Sequence, residues 1–67
     1  MTYVLKRTDQ GGGYVANPGR HNSYTTHIDH VRKFRTEADA EHERCKGNEI
    51  VVDLDQATGL QGGQHGL

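Results

Sequence analysis

The residues of this 67-residue chain with the strongest chemical character are two spaced pairs. His27 and His30 are separated by two residues, and His42 and Cys45 are separated by two more after an interval of eleven. Imidazole and thiolate are good zinc ligands, and paired spacings of this kind recur in zinc sites. On a helix, His42 and Cys45 would share a face. A small zinc-binding module built on His27, His30, His42 and Cys45 is therefore one reading. Structural zinc sites usually carry at least two cysteines, however, and this chain has one. The plainer reading makes Cys45 a small buried helix residue and leaves the histidines in loops or on the surface, with no metal and no cofactor.

A catalytic reading needs a nucleophile with a positioned base, or two carboxylates around a cleft. His42 with Cys45, or Asp53 with Asp55, would supply the groups. But Asp53 and Asp55 alternate along a strand and stand side by side on an exposed face, and so short a chain has little room for a substrate-sized pocket. The expectation is a protein that is not an enzyme. Gly11-Gly12-Gly13 lacks the spacing of a phosphate-binding or dinucleotide loop and precedes strand formers, so it reads as a turn.

The net charge is -1, but its distribution is uneven. Residues 1 to 35 hold Lys6, Arg7, Arg20, Arg32, Lys33 and Arg35 against Asp9 and Asp29. Residues 36 to 67 hold Glu37, Asp39, Glu41, Glu43, Glu49, Asp53 and Asp55 against Arg44 and Lys46. The acidic set could engage a basic surface on a protein partner, including one that normally holds nucleic acid. Arg32-Lys33-Phe34-Arg35 interleaves cations with an aromatic ring and, with Lys6, Arg7 and Arg20, offers an alternative phosphate-contacting patch. The overall charge opposes strong nucleic-acid affinity, which places direct nucleic-acid binding behind a protein partner. Plain solvation of charged faces is the third possibility.

These groups must be held by a few short elements. Residues 3 to 8 and 14 to 16 read as a hairpin closed by the glycine run. Residues 18 to 26 form a loop, with a short extended piece at Tyr24. Val31 to Arg35 can be a short strand, ended by Thr36 as the cap of a helix that runs to Lys46 before Gly47. Ile50, Val52 and Leu54 alternate with Val51, Asp53 and Asp55 in a closing strand whose even positions should face the core. The expected fold is α+β: a small antiparallel-rich sheet of three to four strands with one helix packed on one face, in the order ββ-β-α-β. Residues 1 to 55 would form the domain, and 56 to 67, rich in Gly and Gln, a flexible tail. The expected core is Tyr3, Leu5, Val15, Val31, Phe34, Ala38, Cys45, Ile50, Val52 and Leu54.

Only 31% of the residues are hydrophobic and there is no Trp, so the core is thin and a partner or a homodimer would add stability. A single cysteine suits a reducing compartment. No apolar run approaches the roughly 18 residues of a membrane span, and the charges follow the short N-terminal apolar stretch, the reverse of a signal peptide. A cytoplasmic location without membrane association is expected.

The sequence also resembles, in style, the small proteins encoded by phages and other mobile elements. The likeness covers residues 2 to 55 and lies in the opening TYVLKR, the glycine turn into GGYVA, the KFRTEADAE junction and the closing IVVDLD. Within that group, anti-CRISPR proteins are similar in being short, cysteine-poor, single-domain inhibitors. The resemblance implies a stoichiometric protein-binding inhibitor in the host-cell cytoplasm. Such an inhibitor would bind a CRISPR effector complex and block its nucleic-acid engagement through an acidic surface made of the helix and last strand. The basic half departs from the most DNA-like members of the group.

Overall fold

In the computed structural model, residues 1 to 9, 11 to 57, 59 and 60 are described. Val4 and Leu5 decide the layering. Neighbouring residues of a strand point to opposite faces, and both of these are almost wholly buried. The sheet that contains them is therefore covered on both sides.

Four strands pair antiparallel among the described residues: β1 (Tyr3–Arg7), β2 (Tyr14–Val15), β3 (Tyr24–Thr25) and β4 (Glu49–Asp53), in the order β3-β2-β1-β4. The β1–β2 turn uses Gly12 and Gly13 at φ of 64° and 86°, a region that L side chains rarely adopt. Arg7 N–H donates to the Gly13 carbonyl at 2.9 Å and closes the hairpin. β1 and β4 pair along their whole length, from Tyr3 opposite Asp53 to Arg7 opposite Glu49.

One α-helix among the described residues, α1 (Glu37–Glu43), packs on the sheet. Thr36 caps it, its hydroxyl oxygen accepting from Asp39 N–H at 3.1 Å. On this face Leu5, Phe34 and Ala40 are buried, with Tyr3, Val15 and Val51 against them. On the other face Val4, Tyr14 and Val31 form a second buried cluster, joined by Val52, Leu54, Ala57 and Leu60. A 3-10 turn at Leu54–Gln56, capped by the Asp53 carboxylate, turns the chain across that face.

The expected α+β sheet with one helix is what the chain forms, and three of its details are corrected. Val31 to Arg35 is not a strand: Val31 bridges Ala16 of the β2 side and Phe34 bridges Tyr3 of β1, so the segment changes neighbours before a ladder can grow. The short extended piece at Tyr24 supplies β3 instead. The helix stops at Glu43, because Arg44 turns extended and Cys45 N–H donates to the Glu49 carboxylate at 2.7 Å. Finally, Ala38, Cys45 and Ile50 are exposed, while Val4, Tyr14, Ala16 and Ala40 are buried in the core. An alternating pattern marks one covered face; here both faces are covered, so Val51 and Val52 each find a partner in β1. Ala57 and Leu60 also pack on the core beyond residue 55. The remainder of the expected tail, 61 to 67, lies outside the described residues.

Candidate interaction surfaces

The seven acidic residues read as one contact surface are divided by the fold. Glu49 is buried, 7% exposed. Its carboxylate accepts from Tyr24 O–H at 2.6 Å and from Cys45 N–H at 2.7 Å, and its carbonyl accepts from Arg44 Nη1 at 2.8 Å. A buried carboxylate needs such donors, so Glu49 braces the interior and is set apart from the exposed acidic side chains. The Tyr24 hydroxyl is pushed above its ordinary value near 10, first by the hydrogen bond to Glu49, then by burial and by the carboxylate's charge. Its ring lies under the Arg7 guanidinium, 4.5 Å from the ring centroid. Arg7 also pairs with Asp9 and holds that carboxyl below the usual carboxylate range.

The other acidic side chains are exposed or half-exposed. Glu41 is joined to Arg44 and Glu43 to Arg32 and His42, at 2.5, 3.6 and 3.3 Å. Asp53 accepts from Asp55 N–H. Glu37 and Asp39 point to solvent from the first turn of α1 with no ion-pair partner among the described residues.

The basic patch lies against the acidic helix. Arg32 stacks on the Phe34 ring, 4.8 Å from its centroid, and reaches Glu43. Lys33 is turned back to the Ile28 and Val31 carbonyls at 2.9 and 3.3 Å. An open groove of about 310 Å³ has Arg32, Phe34 and Arg35 on one side and Asp39, His42 and Glu43 on the other. Charges segregated along the chain are thus mixed in space.

The four expected zinc ligands do not converge. His27 and His30 are neighbours, with ring centroids 5.5 Å apart. His42 stands on α1 and Cys45 in the exposed turn after it. Among the described residues no group of three or more His, Cys, Asp or Glu side chains is arranged to hold a metal.

A second surface joins His27 and His30 to a residue that spacing alone did not single out, His21. Asn17-Pro18-Gly19-Arg20 is a tight turn, with Gly19 at φ 88° and Arg20 N–H on the Asn17 carbonyl at 3.2 Å. Asn17 N–H in turn donates to the His30 carbonyl at 2.8 Å, tying this turn to the 3-10 turn Ile28–His30. Arg20, His21, His27 and His30 therefore line one depression of about 320 Å³. The signal for it in the sequence is the Asn-Pro-Gly turn just before Arg20-His21, which folds them back toward the later histidines.

No helix among the described residues is long and apolar enough to cross a membrane. In comparison with known protein families, curated proteins and solved structures, the chain matches none, so its function is argued from these surfaces.

Proposed function

We propose that the chain is a small non-catalytic binding protein that acts by occupying a surface of a protein partner, in the manner of the anti-CRISPR proteins it resembles. A CRISPR effector complex is the first partner to test. The observation that supports this reading is the groove between the 32 to 35 segment and α1, with Arg32 and Arg35 on one side and Asp39 and Glu43 on the other. A surface of both signs complements another of both signs, as protein surfaces are. A phosphate backbone would meet Asp39 and Glu43 wherever it approached the cations, and backbone charge dominates nucleic-acid affinity.

This contact surface differs from a uniformly acidic one. Asp39 and Glu43 belong to it, Glu49 does not, and the cations Arg32 and Arg35 enter it. Arg35 and Asp39 have no ion-pair partner among the described residues, so both remain available to a partner. Size-exclusion chromatography of the chain mixed with an effector complex is expected to give a co-eluting species. The double reversal Arg35→Glu with Asp39→Lys should abolish it while leaving the circular dichroism spectrum unchanged. Co-elution that survives the reversal would overturn the groove as the contact surface. Failure of the unmodified chain to co-elute would overturn the effector complex as partner.

A further inference from the structure

We propose that the depression lined by Arg20, His21, His27 and His30 binds phosphate groups. It lies apart from the groove above and differs from it in one decisive respect: among the described residues no carboxylate lines it. Nor, among the described residues, does a carboxylate line the adjoining depression of about 360 Å³, which shares Asn22, Thr25 and His27 with it and extends to Arg7 and the glycine turn. Among the described residues lining the two, the cationic side chains are Arg7 and Arg20, and the remaining polar ones are histidine, asparagine, threonine and the Tyr24 phenol.

The chemistry of the lining selects the ligand. Clustered imidazoles suggest a divalent cation, but a guanidinium in the same depression repels one, and no three potential ligands are arranged to hold a metal among the described residues. An anion is attracted by the same guanidinium. Arginine offers a planar fork of donors suited to phosphate oxygens, and each imidazole contributes an N–H. Asn22 and Thr25 supply neutral polar groups at the boundary between the two depressions.

The backbone that carries Arg20, His27 and His30 is also held in place before any ligand arrives. The Arg20 backbone is fixed by its bond to Asn17, and Asn17 by its bond to His30. His27 N–H donates to Thr25 Oγ1 at 3.0 Å, and His30 N–H to the His27 carbonyl at 2.9 Å. Arg20 makes no ion pair among the described residues, so its charge is not already compensated. Arg7, in the adjoining depression, is partly compensated by Asp9.

The test is a titration of the isotope-labelled chain, followed by the imidazole and amide NMR signals. Three probes are used: inorganic phosphate, a nucleoside monophosphate and a short single-stranded oligonucleotide. Saturable shifts at His21, His27, His30, Asn22 and Thr25 with at least one probe are expected, and the tightest probe identifies whether the phosphate belongs to a small molecule or to a nucleic-acid backbone. Arg20→Gln should weaken that binding about tenfold, the effect of losing one charged hydrogen bond. His27→Gln should weaken it as well. Arg35→Gln, in the other groove, should leave it unchanged. Absence of saturable shifts at the three imidazoles with all probes would overturn the proposal. So would equal weakening by Arg35→Gln, which would show general charge attraction, or saturation of the imidazoles by zinc chloride alone.

Discussion

At the scale of single residues, the most informative side chain is Glu49, because it inverts the expected pattern: a carboxylate inside at 7% exposure while its neighbour Ile50 is 48% exposed. The arrangement is stable because both carboxylate oxygens are occupied, one by the Tyr24 hydroxyl and the other by Cys45 N–H. Tyr24 consequently carries a pH dependence whose sign is fixed. Its neutral phenol donates to Glu49 in the folded chain, whereas a phenolate would face a carboxylate, so its value is higher folded than unfolded. A group raised in this way contributes stability that is fully present below its unfolded value and is lost as pH rises through the folded one. The chain should therefore lose stability above about pH 10. Tyr24→Phe should lower stability at neutral pH by about 1 kcal/mol and remove part of the alkaline loss. Urea denaturation of both proteins at neutral and alkaline pH checks this, and an alkaline loss of the same size in Tyr24→Phe would refute it.

At the scale of elements, local chemistry was legible and long-range competition was not. The Thr36 cap is encoded within three residues, and it forms as expected. Thr36→Ala should accordingly cost about 1 kcal/mol and reduce helical circular dichroism, while Thr36→Ser retains both; equal loss in the two variants would show that the hydroxyl is not what caps α1. The other end of the helix could not be read in the same way. Lys46 and Gly47 are suitable closing residues for a longer helix, but the buried Glu49 carboxylate takes the Cys45 N–H that such a helix would use. The tight turn that replaces it brings Asn48 N–H to the Cys45 carbonyl at 3.3 Å, with Gly47 at φ 114°. The 31 to 35 segment shows the same limit. Its β-branched and aromatic residues are suited to a strand, and only the placement of β1 and β2 reveals that Val31 and Phe34 bridge different neighbours. That crossing also sets Arg32 and Arg35 beside α1, so the basic run and the acidic run were each legible while their contact was not.

At the scale of the whole molecule, two thin clusters on opposite faces of one sheet replace the single core that alternation in β4 suggested. Neither cluster is large: among the described residues each has three that are buried, and they are joined through the adjacent Val4 and Leu5 of β1. Small domains bury a modest fraction of their surface, and single domains of this size unfold cooperatively. The two faces should therefore unfold as one unit, with β1 as the shared member. Methyl NMR during urea denaturation gives a probe for each face, Val31 on one and Ala40 on the other. Their midpoints should coincide. Leu5→Ala removes buried atoms from the helix face alone, at a cost of about 2 to 5 kcal/mol. If β1 couples the faces, that variant shifts the Val31 and Ala40 midpoints equally, although Val31 belongs to the cluster that Leu5 does not join. A shift confined to Ala40 would mean that the faces are independent and that the sheet alone, without its helix, is a stable folding unit.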